Sequence, residues 1–190
     1  LWRGLSDDLN YNVMFSPRGY LFAACSQGSL DGLVRRANTM RLNGIRAEIL
    51  TREEVMKEAP YLDYTEQARC PIYGGMLQPD AGTARHDAEV WGYARAANAL
   101  GVDIIQNCEV TGIRRENGAV LGLDTARGFI KTPKVAIVAA GHSSVVASLA
   151  DIRLPIESLP LQALVSEPLK PIFPNVVMSN AIHAYISQSD

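Results

Sequence analysis

The sequence predicts a mixed α/β (α+β) fold, and three features carry that expectation. Apolar residues recur at helical spacing in two segments, Leu33, Val34, Ala37 and Met40, then Val90, Ala94 and Ala97. The continuous apolar run 135–140 ends in Gly141 and fits a parallel strand covered on both faces. Beyond Asp151, Pro155, Pro160, Pro168, Pro171 and Pro174 punctuate extended segments of the kind found in antiparallel sheets.

Taken in order, residues 12–15 and 20–25 flank Ser16-Pro17-Arg18-Gly19, and the pattern predicts a β-hairpin. An amphipathic helix follows from Leu30 and stops at Asn43-Gly44. Thr51-Arg52-Glu53-Glu54 is a capping box opening a short helix that Pro60 ends. Residues 71–78, with Gly74-Gly75, read as irregular or briefly extended, and a second long helix is expected from about Arg85 to Leu100. Four extended runs (102–113, 119–124, 128–131 and 135–140) are joined in part by turns at Glu116-Asn117-Gly118 and Ala126-Arg127-Gly128. Ser143 or Ser144 is expected to cap a helix after the last run. Residues 159–169 and 176–188 read as extended, with the closing HAYISQSD as a strand still under way at Asp190. Together with Leu1 in place of Met, this leads us to expect an internal piece of a longer protein.

Composition narrows the function classes. The 190 residues carry 18 Lys and Arg against 20 Asp and Glu, a net charge of −2, which leaves no basic stripe for nucleic acid or anionic membrane. No purely apolar run exceeds six residues, against roughly 20 for a bilayer span. Cys25, Cys70 and Cys108 are widely spaced without a CxxC pair, and with three histidines they argue against a disulfide framework or structural zinc. The first residues lack an apolar signal region, with Asp7 and Asp8 following closely, so a reducing cytoplasm is expected. G-x-S-x-G, HExxH and P-loop patterns do not occur.

Three places can carry chemistry. Gly141, after the run 135–140, would let a backbone approach a nucleotide at the carboxyl end of a parallel strand. A buried strand with an ordinary turn is the plainer reading of those residues alone, since no GxGxxG occurs. His86 falls in the first turn of the Arg85–Leu100 helix, where the dipole favours a neutral ring able to act as nucleophile or ligand. Beside it, Arg85 and the helix amides suit a phosphate, although chemistry alone favours an exposed histidine without a role. His183 is expected on a strand, sharing a face with Tyr185, where a core or interface role is the simpler account. Trp2, Trp91, Tyr11, Tyr20 and Tyr93 are scattered and read mostly as packing residues.

The ordered set GGMLQPDAGTARHDAEVWGYARAANALGVDIIQNCEVTGI, VAIVAAGHSS and LPLQALVSEPL resembles the flavin-dependent amine oxidoreductases of the D-amino-acid oxidase and sarcosine oxidase superfamily. Within it the segment ARHDAEVWGYARAANALGVDIIQNCEV is most similar to the beta subunits of heterotetrameric sarcosine oxidases, and the resemblance covers essentially the whole chain. It implies part of an FAD-binding Rossmann-like domain, without its GxGxxG unit, interleaved with an antiparallel-sheet substrate domain. It implies non-covalent FAD met by Val110, Ala140 and Gly141, covalent FMN on His86, and His183 near the FMN. The implied reaction is oxidative demethylation of sarcosine to glycine, formaldehyde and hydrogen peroxide, with tetrahydrofolate on a partner subunit as an alternative acceptor of the one-carbon unit. No metal is implied.

The implied organisation assigns residues 1–101 to the substrate side, 102–150 to the FAD-binding part and 151–190 to the substrate side again. The resemblance places the catalytic pocket mostly outside these residues, so the isolated chain is expected to be inactive and colourless. The rivals are an FAD-only relative, such as a glycine oxidase or a dimethylglycine dehydrogenase-like enzyme, and a non-catalytic assembly subunit of the same fold.

Overall fold

Alternation along one short strand organises the larger part of the chain. The computed structural model describes residues 1–179 and 181–188, which divide into two compact units, Leu1–Val102 with Ser166–Asp190, and Asp103–Val165. The first unit carries α1 (Trp2–Asp8), β1 (Tyr20–Ala24), α2 (Gln27–Leu42), β2 (Glu48–Thr51), α3 (Arg52–Glu58), β3 (Gly74–Gln78) and α4 (His86–Ala99). The second carries β4 (Val110–Glu116), β5 (Ala119–Thr125), β6 (Gly128–Lys131), a 3₁₀ turn (Ala140–His142) and α5 (Ser143–Ser148). The chain then returns to the first unit for β7 (Val176–Ser179) and β8 (Ala184–Ile186).

In the first unit the strand order is β2-β3-β1-β7-β8, a mixed sheet in which β1 runs antiparallel to β3 and parallel to β7. Successive side chains of a strand point to opposite faces. Leu21 and Ala23 accordingly join Val55, Ala59, Ile72 and Val177 on one side, while Phe22 and Ala24 join Leu33, Ala37, Ala47 and Met76 on the other. Leu21, Val55 and Met76 are fully buried, each worth about 1.5–3 kcal/mol of hydrophobic stabilisation. Of the helices that supply these covers, α3 starts at the expected capping box, whereas α2 starts at Gln27, ahead of the expected Leu30. Ser26 caps α2 by accepting from the Ser29 amide, and Thr51 and Glu54 form the reciprocal capping box of α3.

Residues 71–78 divide as the two readings allowed, irregular at 71–73 and extended as β3 at Gly74–Gln78. Strand β3 pairs on both edges, with β2 and β1. Its glycines are there for space. A Cβ on Gly75 would lie 2.8 Å from the Phe22 carbonyl oxygen and 3.0 Å from Val55 Cγ2. The expected hairpin is absent. Met14 has a φ of 54°, which stops a strand at 12–15, and Ser16 instead forms an isolated antiparallel bridge with Thr83. Beyond Ser166, β7 and β8 pair antiparallel, but β7 joins β1 in parallel, so this part of the sheet is mixed. Residues 159–169 form no strand, and Asn180, Ser189 and Asp190, with the expected end of the last strand, lie outside the described residues.

The second unit contains the meander β4-β5-β6 with its turns where they were expected, Asn117 and Gly118 both at positive φ. Arg114 grips Asp124 across β4 and β5 through two nitrogens and lies 4.7 Å from the Phe129 ring centroid. The extended run begins at Val110 and not at 102: Asn107 has a φ of 51°, Glu109 only accepts the Ala126 amide at 2.9 Å, and residues 102–108 pair with no strand among the described residues. The run 135–140 corrects the parallel-strand expectation. It pairs with no strand among the described residues, its exposure alternates residue by residue, and Val138 is 94% exposed. An apolar run becomes a covered strand only where neighbours supply both edges. Neither Ser143 nor Ser144 caps α5. The N-cap position is His142, and the Ser144 hydroxyl donates to the Ile156 carbonyl.

The packing of the first unit can be tested at two positions. Gly75→Ala, measured by denaturant or thermal unfolding of the full-length protein, is expected to lose about 1–3 kcal/mol of stability, the usual cost of forcing bulk into a filled core. The second position is Tyr61, whose hydroxyl donates to Asn175 Oδ1 at 2.8 Å while the Asn175 amide donates to the Glu58 carbonyl. Burial, aided by Tyr64 and Glu58, pushes the Tyr61 phenol up to about 12. The unfolded phenol titrates near ~10, so stability is intact below that pH and declines as pH rises through the folded value. In Tyr61→Phe the baseline is lower, and the alkaline decline in unfolding free energy should be correspondingly shallower.

Candidate functional site

The candidate residues fall into two sets, one in each unit. His86 is the first residue of α4, exposed, with Arg85 at the N-cap position. Its backbone is held from both sides. Upstream, Ser16 and Thr83 exchange two amide–carbonyl bonds of 2.8 and 3.0 Å, and the Gly19 amide donates to the Ala81 carbonyl at 2.7 Å. Gly82 makes that contact possible, since a Cβ there would fall 1.9 Å from the Ser16 carbonyl oxygen. Downstream, Gly92 lets α4 approach Leu9 and Tyr11, and Arg95 lies 5.2 Å from the Tyr11 ring centroid.

The helix surface differs from expectation in one respect. Gly92 is buried and Ala88, Ala94, Ala96 and Ala97 are half-buried, so Ala94 and Ala97 are partly covered as expected, whereas Val90 is 64% exposed and Trp91 and Tyr93 are about half exposed. Small residues permit the close approach to Leu9 and Tyr11, and that leaves the larger apolar side chains on the open side. Arg85 is also engaged differently. Its guanidinium donates to both Asp87 oxygens, at 3.2 and 3.0 Å, and this pairing, with the Ala88 amide, holds the Asp87 carboxyl below the usual carboxylate range. The pair's contribution is present above the unfolded carboxyl value and is lost as pH falls through the lowered folded one.

His183 is not on a strand. It sits in the turn before β8 with a φ of 49°, exposed, and its left-handed backbone breaks the two-residue period that would align it with Tyr185. Sequence reasoning also passed over a cleft of about 290 Å³ lined by Trp2, Phe15, Gln78, Asp80, Gly82 and Ala84, on the segment leading into α4. Trp2 stacks on Phe15 at 6.0 Å, and Asp80 accepts from Arg3 at 2.7 Å and pairs with Arg46 at 3.1 Å. The walls of the cleft come from Trp2, Phe15 and residues 78–84, too far apart in sequence to leave a local signal for it.

In the second unit Val110 opens β4, half-buried and paired with Thr125. Ala140 and Gly141 form the 3₁₀ turn and are exposed. The strained backbone is at Ala140, with a φ of 44°, and not at the glycine after it. The Gly141 carbonyl accepts the Ser158 hydroxyl at 2.6 Å. A cleft of about 470 Å³ lined by Ser144, Ser148, Asp151, Ile152, Arg153 and Ile156 includes none of these three. Among the described residues no group of three or more His, Cys, Asp or Glu side chains is placed to hold a metal, and no helix is long and apolar enough to cross a membrane.

Comparison with known proteins adds a lineage to this geometry. A family model described as FAD dependent oxidoreductase (DAO) matches residues 1–190. The chain is 57% identical over 190 residues to the sarcosine oxidase subunit beta of Rhizobium meliloti, covering 100% of this chain and 45% of that protein. It is 53% identical to the subunit beta of Rhodobacter capsulatus, again over all of this chain and 46% of the other. The chain thus spans about half the length of the curated relatives it matches. The crystal structure of L-proline dehydrogenase from P. horikoshii superposes with a TM-score of 0.82 at 24% identity, covering 99% of this chain and 50% of that one, which shows a shared fold.

The clamp before α4 yields a direct expectation. Gly82→Ala should open the Ser16–Thr83 bridge, so hydrogen exchange at the Ser16 and Thr83 amides rises by about tenfold or more while exchange in β1 is little changed. Unaltered exchange at both amides would show that the segment has another anchor.

Proposed function

Because the chain belongs to the family of FAD-dependent oxidoreductases, we propose that it is the flavin-carrying part of an enzyme that oxidises sarcosine to glycine, formaldehyde and hydrogen peroxide. The observation that carries this reading is the 57% identity with a sarcosine oxidase subunit beta across all 190 residues. FAD is the cofactor that the family implies. The proposed partners are the other subunits of a heterotetrameric oxidase, with tetrahydrofolate on one of them, in the cytoplasm.

Val110, Ala140 and Gly141 would meet the FAD through the backbone. Fit is supported by Ala140, whose left-handed φ of 44° turns the exposed main chain at 140–142 in a way that L residues rarely adopt without a reason. His86 would carry FMN covalently through the 8α position. Here the support is an exposed imidazole on a backbone fixed by the Ser16–Thr83 bridge and the Gly92 contact, so a ring attached to it would be held in one place. Arg85, already paired with Asp87, is left out of this role. His183, exposed in its turn, is the lesser candidate beside the FMN. The division of labour follows the same lines: residues 102–150 supply part of the FAD site, and residues 1–101 and 151–190 the substrate side.

FAD, when bound, would supply the hydride acceptor for the substrate N-methyl carbon, and FMN on His86 would supply the exit by which the electrons reach oxygen. Water then adds to the released imine, so that sarcosine, oxygen and water become glycine, formaldehyde and hydrogen peroxide. Neither Val110 nor His86 acts as acid or base; one contributes backbone contact, the other a tether.

The test uses the full-length protein in its complex. After acid denaturation, flavin fluorescence is expected on the peptide containing His86 and is expected to be lost in His86→Ala, with sarcosine-dependent peroxide release in the parent enzyme. Free flavin only, or attachment unchanged in the variant, removes the tether and favours an FAD-only relative. Absence of peroxide release removes the sarcosine-oxidising activity.

A further inference from the structure

The sheet brings together two thiols that the proposed reaction does not use. Cys25 directly follows β1, and the ladder between β1 and β3 continues past Gly74, because the Tyr73 amide donates to the Ala24 carbonyl at 2.9 Å. Cys70, three residues before Tyr73, therefore enters at the end of β1, where burial pushes the Cys25 thiol up and the Cys70 side chain, acting on it, helps to do so. Cys25 Sγ also lies 4.0 Å from Ser179 Oγ on β7. Both cysteines are half-buried, which keeps them within reach of a molecule as small as a peroxide. Cys25 packs against the Leu21 and Val55 cluster, so its position is set by the core.

We propose that Cys25 and Cys70 form a reversible, peroxide-driven disulfide that ties the end of β1 to the segment entering β3. A thiolate attacks one peroxide oxygen, the O–O bond breaks, and a sulfenic acid forms with release of water. The second sulfur attacks the sulfenic sulfur, the S–S bond forms, and a second water leaves with the thiol proton. Two thiols lose two electrons and two hydrogens, and one hydrogen peroxide becomes two waters. Burial pushes the Cys25 thiol up and makes it the poorer first nucleophile, so Cys70 attacks the peroxide and Cys25 then resolves the sulfenic acid. In a reducing compartment such a bond is transient, formed under peroxide and reopened by thiols. The pair stands whatever the substrate of the parent enzyme, since the oxidant can be supplied from outside.

The experiment treats the reduced full-length protein with hydrogen peroxide, blocks remaining thiols by alkylation and maps peptides without reduction. Expected are a linked Cys25–Cys70 peptide, an intact mass lower by two hydrogens, reversal by dithiothreitol, and the same result in Cys108→Ser. In Cys25→Ser a sulfenic-acid trap should label Cys70, with much weaker labelling of Cys25 in Cys70→Ser. The wild-type peptide map decides the matter even if either variant folds poorly. Alkylation of both thiols after peroxide, sulfinic acids without a cross-link, or a link to Cys108 would overturn the proposal.

Discussion

The structure of the larger unit depends on one strand being apolar on both faces. Leu21 and Ala23 need a cover on one side and Phe22 and Ala24 on the other, so α3 and α2 must pack on opposite faces of the same sheet. That requirement fixes the register of β1 against β3, from Tyr20 opposite Gln78 to Ala24 opposite Gly74. A slip of one residue would exchange the two faces and leave both helices against the wrong side chains. The register in turn decides what lies at each end of the pair: the Gly19–Ala81 contact and the path towards His86 at one end, Cys25 beside Cys70 at the other. The chemistry-bearing positions of this unit are thus consequences of its core.

What was legible in the sequence was local. The capping box at Thr51, the Asn43-Gly44 stop, the Asn117-Gly118 turn and the bounds of α4 are all decided within a few residues by hydrogen-bond reach or positive φ, and the structure follows them. What was misread or left open depended on partners distant in sequence. Residues 12–15 look like a strand, but β1 finds its neighbours at β3 and β7. Gly74-Gly75 reads as irregular or briefly extended, because glycine normally weakens a strand; that it lies in an interior strand follows from Leu50, Phe22 and Val55, which crowd that place. The run 135–140 has the composition of a buried strand and lacks, among the described residues, the neighbours that would bury it.

The candidate site repeats this division. The helix that presents His86 could be read from periodicity, whereas the residue's significance rests on the lineage. No spacing rule distinguishes it from any exposed histidine at a helix start. At the other turn the chemical logic chose Gly141, because glycine is the residue expected where the backbone is unusual. The unusual backbone belongs to Ala140, which tolerates a left-handed conformation at a cost of order 1 kcal/mol. Single-residue propensity can point to the neighbourhood of such strain and still miss the residue that bears it.

The contrast between His86 and His183 bears on the proposed tether through the backbone, not through residue type. Both imidazoles are exposed, and both lie near the end of a regular element. His86 begins a helix of 14 residues whose entry is clamped at Ser16–Thr83 and whose body is pressed onto Leu9 and Tyr11, so its Cα has little freedom to move. His183 occupies a left-handed turn ahead of a three-residue edge strand with all three residues exposed. A covalent bond to a large planar group transmits every backbone fluctuation to the far end of that group. Orientation within the narrow tolerance that hydride or electron transfer demands therefore favours the clamped helix start over the edge turn.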